Sequence, residues 1–384
     1  MADYIEAYDY TNTIRDMDPA WKLLIASKPS LSAFIKTGAP ALALKHEWIE
    51  YQISPTRYTI AGFDTDGDGT GVNFASTAGI VAGDILYFTD ADGVMQTERA
   101  LVASVDSATD LTLTRDYASS TGETLVIGWY AYNLNPHYEN EIASANDGYE
   151  PGTNYNYLQL FKKVAMVSNT AQKVKTYNTA DLLGMQIDYH MQKIAWELNG
   201  AAIMGYRLAR SNTTSAKGTL GGIDQFTTSG NGGDKSGAAL SPTIINDAFQ
   251  QIAEDGGLGG NYIILTSPYQ ARAISGFNTS GTNPSVIYAP DMATYGTRIQ
   301  NFVADFANGN NSYGGKIVVD MQVPKDMLFI LNMDLIEFNY LRTMQDKPVL
   351  ADYDGVAREL LMELTMTVKN GTYAHARLFN LAVS

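Results

Sequence analysis

Residues 179–209, TADLLGMQIDYHMQKIAWELNGAAIMGYRLA, decide how this chain folds, because they read as one unbroken helix. At roughly 1.5 Å per residue such a helix is about 45 Å long, which suits a framework better than a catalytic loop. Leu183, Ile187, Met191, Ile194 and Leu198 recur at the 3/4 spacing that stacks them on one side. Leu182, Tyr189, Trp196 and Ile203 gather on roughly the opposite side, with Asp181, Asp188, Gln192 and Asn199 in the strip between. Two apolar faces predict a helix clamped between two layers of protein, with Trp196 and Leu198 both buried and each costing a few kcal/mol on truncation to Ala. Asn178 or Thr179 is suited to cap its start, with Asp181 in the first turn.

Upstream, Leu158 to Val167 is an extended run carrying Lys162 and Lys163, preceded by a loop at 146–156. The two lysines are suited to ion pairs with a neighbouring chain, worth about 0 to 1 kcal/mol each if exposed, or to guarding an edge strand. Residues 54–133 change character: short runs of Val, Ile, Leu, Thr and Tyr alternate with Gly and Asp turns, which predicts a small all-β module, a barrel or a sandwich. Before it, Leu44 to Ile53 reads as a strand, with Ile49, Tyr51 and Ile53 on one face and His46, Trp48 and Glu50 on the other. The β-module is therefore an insertion between two extended segments. Residues 1–43 hold two short helical patterns, Trp21 to Ser27 and Leu31 to Ile35, with too few apolar residues for a core, and read as an arm lying across something else.

Downstream, Ser211 to Leu240 is rich in Gly, Ser and Thr and reads as a mobile loop. A helix Ser241 to Glu254, a strand Tyr262 to Thr266, a helix from Pro268 and a strand Lys316 to Met321 then make an α/β domain. From Leu328 to Val383 strands return, with Asn370-Gly371 predicting a hairpin between Leu360–Val368 and Tyr373–Leu381.

At 384 residues the chain exceeds the size at which one core stops growing, so two or three domains are expected. Only 17% of residues are charged while 24 are Tyr, a surface suited to protein contacts. A net charge of -15 argues against tight nucleic-acid binding, which needs Lys and Arg against phosphates. The absence of cysteine excludes disulfides, thiolate catalysis and cysteine-based zinc sites, and suits the cytoplasm. The start, Met1-Ala2-Asp3-Tyr4, lacks signal-peptide character, and no apolar run approaches 18 residues, so a soluble product is expected, with no membrane partner.

Asp64-x-Asp66-x-Asp68-Gly69 matches the first half of a calcium loop, where alternate carboxylates converge on a hard cation. Its second half fails, since the bidentate glutamate position falls on Ala75; a plain acidic hairpin tip is the competing reading. The four histidines, His46, His137, His190 and His375, are too scattered for a metal motif; His190 is placed on the helix's polar strip and His375 on a strand. There is no G-x-S-x-G elbow, and the glycine clusters at 218–222 and 256–260 lack the Lys-Ser/Thr of a phosphate loop. Carboxylate pairs such as Glu139/Glu141 and Glu359/Glu363 match a glycosidase only in residue type, and a solvated face explains them as well. No catalytic residue and no cofactor is assigned. The positions singled out for core or assembly contacts are Trp48, Lys162, Lys163, Leu183, Ile187, Trp196 and Leu198.

Asp18-Pro19, Phe34-Ile35 and Lys45-His46-Glu47-Trp48 near the start, with Gly355-x-x-Arg358-Glu359, Glu363-x-Thr365, Lys369-Asn370-Gly371 and Asn380-Leu381 near the end, give the chain a further character. In these motifs and in the order of its parts it resembles the tailed-phage major capsid (major head) proteins of the Hong Kong 97-type fold. That resemblance implies an α+β fold with an N-terminal arm (1–43), an extended loop with flanking strands (44–53 and 134–178) and a peripheral domain with the long spine helix (179–210 and 326–384). It also implies an axial domain (211–325) and, as a departure from the basic fold, an inserted β-domain (54–133). The implied function is a non-enzymatic subunit that assembles through hexamers and pentamers into an icosahedral head around double-stranded DNA. Its implied partners are its own copies, scaffold, portal and decoration or cement proteins, with packaged DNA contacted only weakly, in a virion assembled in the bacterial cytoplasm. Two other readings stay open: a cellular nanocompartment shell of the same fold, and a calcium-dependent glycan-binding protein or glycan-active enzyme built around the β-module.

Overall fold

The computed structural model describes residues 30–50, 57–63, 70–119, 124–133, 152–174, 181–211, 216–228, 230–257, 260–277, 299–308, 311–350 and 354–383. Asp64, Asp66 and Asp68, Asp18-Pro19, Trp21 to Ser27 and His137 lie outside the described residues. After a one-turn 3-10 helix, Leu31–Ala33, come strands β1 (Lys36–Thr37) and β2 (Lys45–Glu50). Six strands follow: β3 (Arg57–Phe63), β4 (Gly71–Phe74), β5 (Ile85–Thr89), β6 (Met95–Val105), β7 (Asp110–Thr114) and β8 (Tyr130–Asn133). The chain continues through β9 (Gly152–Tyr157), β10 (Gln159–Ser168), α1 (Asn169–Lys173), α2 (Leu182–Met204), α3 (Ile223–Phe226) and β11 (Asn231–Asp234). It then runs through α4 (Pro242–Glu254), β12 (Tyr262–Thr266), α5 (Pro268–Gly276), β13 (Asn301–Asn308) and β14 (Asn311–Val319). The last elements are β15 (Leu328–Asn332), β16 (Ile336–Val349), β17 (Gly355–Val368) and β18 (Ala376–Phe379).

The chain divides into two compact units, residues 50–152 and residues 1–49 with 153–384. In the first, β3-β4-β7-β6-β5-β8 close into a barrel, which leaves no open sheet edge. Alternation supplies its interior: Tyr58 and Ile60, Val72 and Phe74, Leu86 and Phe88, Leu111 and Leu113 all point inward and are buried. Glu98 is fully buried on β6 and is matched by Arg115, whose Nε donates to it at 2.7 Å. That pair holds the turn after β7, where Asp116 and Ala118 adopt positive φ.

The second unit contains two larger sheets. One is four-stranded, β1-β16-β17-β10; the other is six-stranded, β11-β18-β15-β12-β14-β13. On β12, Ile263 and Leu265 enter the core shared with α2 and the four-stranded sheet, while Tyr262 and Ile264 enter a second core under α4 and α5. β15 divides the same way, Phe329 and Leu331 against Leu328 and Ile330. A sheet covered on both faces explains why both strands are continuous apolar runs.

Several expectations need correction. The long helix spans Leu182–Met204, shorter at both ends than 179–209, because Asp181 itself caps it by accepting from the Gly184 N–H and Gly205 closes it. Ile194, Leu198 and Ala202 are buried on one face and Ile203 on the other, but Tyr189 and Trp196 on that second face are exposed, so among the described residues it is covered only towards the C-terminal end of the helix. The stretch 211–240 is not a loose loop where it is described: Leu220 and Ile223 are fully buried in the shared core. Its glycines mark close packing, since a Cβ on Gly222 would lie 2.5 Å from the Gly205 nitrogen. Asn370-Gly371 makes no hairpin, because β17 belongs to the four-stranded sheet and β18 to the six-stranded one. A two-residue hairpin turn of that type needs positive φ at both residues, and only Asn370 (φ 52) has it, Gly371 being wedged against Phe226. The strand expected at Lys316–Met321 is displaced to Asn311–Val319.

Candidate assembly site

Three neighbouring features of the second unit position the groups suited to contacts. The first is the root of the two-stranded pair β2–β9. Trp48 is buried against Phe226, ring centroids 5.8 Å apart, while Ile49 beside it points outward. Arg207 lies 4.0 Å over the Tyr155 ring and donates to the Tyr155 carbonyl at 2.7 Å; the Lys45 ammonium is 4.2 Å from the same ring. Cation–π contacts of this kind fix a ring between charges. Asn156, fully buried, donates to the carbonyls of Gly221 and Met366 and accepts from the N–H groups of Gly221 and Tyr157. His46 sits at this root, its pKa lowered by burial first and by the Lys369 charge second.

The second feature seats the segment that follows residue 29. Asn199, buried in α2, donates to Asp320 at 2.8 Å and to Gln322 at 2.6 Å, and accepts from the Ser32 N–H at 3.0 Å. Asp320 in turn accepts from the N–H groups of Ser30 and Leu31, and the Ser30 hydroxyl donates to Val319. A buried carboxylate thereby satisfies the donors that begin a one-turn helix. Lys36 continues the seat through a 2.6 Å pair with Asp334, which lowers the Asp334 pKa.

The third is the four-stranded sheet. Glu363, nearly fully buried at its centre, receives Arg342 at 2.6 Å and Arg210 at 3.0 Å. Lys162 pairs with Glu359 at 3.0 Å and Lys163 with Glu197 at 2.7 Å. Strand register and helix packing thus give both lysines acidic partners within their own chain.

Of the other positions singled out, Leu198 is 7% exposed and core, Ile187 packs partly buried against the same core, and Leu183 is partly buried. Trp196, at 44% exposure, lies outside that core, its backbone carbonyl accepting from Gln322. Sequence reasoning missed Asn156 and Asp320 altogether, and it put Asn199 in a polar strip although the structure buries it. His375 precedes β18 instead of lying on a strand, and is wholly buried. His190 is partly buried on α2, its pKa lowered by burial and then by Lys193. Among the described residues, no three His, Asp or Glu gather as a metal site, and no helix is long and apolar enough to cross a membrane.

These contacts are made within the chain and hold the roots of its extended segments in place. Comparison with known proteins identifies the fold. The capsid of an empty GTA particle is similar over 99% of this chain and 100% of that one, with 9% identity and a TM-score of 0.52. The capsid of Cyanophage A-1(L) is similar over 98% and 99%, with 11% identity and a TM-score of 0.52. That of Cyanophage P-SCSP1u is similar over 100% of both, with 9% identity and a TM-score of 0.51. At such identities the likeness establishes the fold, the α+β architecture of phage capsid subunits. No curated protein matches the chain. The family described as SU10 major capsid protein matches residues 5–382, and over nearly its whole length the chain belongs to that family of structural shell proteins.

Proposed function

We propose that this subunit forms hexamers and pentamers that close an icosahedral head around double-stranded DNA, assembled in a host bacterium on scaffold and portal. The family match over residues 5–382 carries the reading. In it, residues 1–43 act as an arm, the pair β2–β9 with its flanking strands as the extended loop, and the helix α2 with the last strands as the peripheral domain. Residues 211–325 form the axial domain, and 54–133 an inserted domain. A shell must be strong in sum and correctable during growth, so one chain gains by touching several neighbours modestly. The rigid root around Arg207, Tyr155 and Asn156 suits this, because it holds an extended segment ready at little ordering cost. The net charge of -15 would limit adhesion of packaged DNA to the wall.

Negative-stain electron microscopy with light scattering on the purified protein tests the reading. Closed shells, or five- and six-fold rings, are expected. A uniform species of 41.8 kDa that never assembles, with or without scaffold, would overturn it. Shells that carry an enzyme cargo in place of DNA would replace the phage head by a nanocompartment.

A further inference from the structure

We propose that one face of the barrel, across β6, β5, β8 and β3, is a binding site for acidic glycans, whose sugar rings carry carboxylates. The proposal goes beyond the shell reading and does not depend on it. These four strands are successive neighbours in the barrel, and their register sets Arg99, Tyr87, Tyr132 and Arg57 in one row across them. Leu86, Ala100, Ala131 and Tyr58, next to them in sequence, are buried, so strand alternation turns the row outward. Its two arginines stand three strand spacings apart, roughly 14 Å, a span for a short oligosaccharide and not for a single ring.

Side chains of such a row rise roughly perpendicular to the sheet and lie face against face. The rings of Tyr87 and Tyr132 are stacked, their centroids 4.9 Å apart and their planes 12° from parallel. The Arg99 guanidinium lies 5.7 Å from the Tyr87 ring, and that of Arg57 lies 4.5 Å over Tyr130, two residues before Tyr132 on β8. Arg99 is fixed further by donating to the carbonyls of Gln96 and Glu98. Ring faces are thus taken up within the row, and its rim of phenols and ordered cations is what a ligand meets.

Charge argues for an anion. Residues 57–133 contain eleven Asp and Glu against three Arg, yet the stretches in register here, 57–59, 85–87, 99–101 and 130–132, hold two of those Arg and none of the acids. The third, Arg115, is paired with buried Glu98. An anion is therefore repelled by most of the barrel and drawn to this face. Nucleic acid fits less well, because its bases need open aromatic faces to stack on and its backbone brings a charge with every nucleotide to an acidic module. A sugar acid brings sparse carboxylates among many hydroxyls, which suits two spaced guanidinium groups and a phenol rim.

Calorimetric titration of the full chain with trigalacturonate tests this, with maltotriose as the neutral sugar and an eight-nucleotide dT strand as the other polyanion. Saturable binding of trigalacturonate alone is expected, weakening at least threefold as salt rises from about 0.02 to 0.2 M. Arg57→Gln combined with Arg99→Gln is expected to weaken it at least tenfold. Tyr87→Phe combined with Tyr132→Phe keeps the stacked rings and removes only the hydroxyls; a loss of at least threefold at an unchanged urea midpoint is expected, which separates lost binding from lost folding. No binding of trigalacturonate, equal binding of maltotriose, preference for the dT strand, or full affinity in both variants would overturn the proposal. Whether the chain forms shells is read separately and is untouched by any of these results.

Discussion

His375 shows how one buried side chain ties this fold to pH. Its Nδ1 accepts from the Asn332 N–H, and its Nε2 lies 3.2 Å from the Lys369 carbonyl, so the neutral ring donates there and links the turn after β17 to β15. Burial lowers its pKa to about 4, against the smaller opposing effect of the Lys369 carbonyl. Because the unfolded chain binds that proton near the ordinary value of 6.5, stability is complete above it and is lost as pH falls toward 4. The loss between pH 7.5 and 5 should be about 2 kcal/mol. Urea midpoints of the free subunit should drop accordingly, and His375→Gln should flatten that drop; an equally steep pH dependence in the variant would contradict the assignment. His46 and His190 shift the same way. None of this was legible in the sequence, where a lone His carries no sign of its burial, and the same blindness hid Asn156 and Asp320.

Elements were easier to read than their surroundings. The periodicity of α2 gave its existence and its core face, Ile194 and Leu198, and the apolar run Tyr262–Thr266 gave β12 to the residue. What failed was whatever depends on a distant segment. Trp196 looked like core because spacing reports which residues share a face, not whether anything covers it. Asn370-Gly371 looked like a hairpin because local turn chemistry says nothing about which sheet the next strand joins. Truncation separates the two faces of α2. Leu198→Ala should cost the free subunit about 2 to 5 kcal/mol by opening a cavity in the shared core. Trp196→Ala, from a half-exposed site, should cost under about 1 kcal/mol. Equal losses in urea unfolding would mean the outer face is covered after all.

At the scale of the whole molecule, the barrel is a separable body. It has its own core and closed strand order, and Arg57 on β3 is the register partner of Tyr132 on β8, so the strands that begin and end it lie side by side. Residues 57–133 carry eleven Asp and Glu against three Arg, which favours solubility apart from the rest of the chain. Residues 50–152 expressed alone should unfold cooperatively in urea with β-type circular dichroism; a non-cooperative melt would show that the barrel depends on its host. The all-β character of 54–133 was legible in its strand spacing, whereas the choice between a barrel and a sandwich was not, since pairing order is a long-range property. The opposite holds for the seat of residues 30–37. Ser30 and Asp320 are 290 residues apart, and β1 pairs with a strand slightly more distant still. At roughly 5 to 20 residues per second, the ribosome spends about 15 to 60 seconds between making the two halves of that seat. The barrel has every one of its strands long before then. The anchor of residues 30–37 is thus among the last contacts to become available during synthesis, and a chain cut short before Asp320 has nowhere to fasten them.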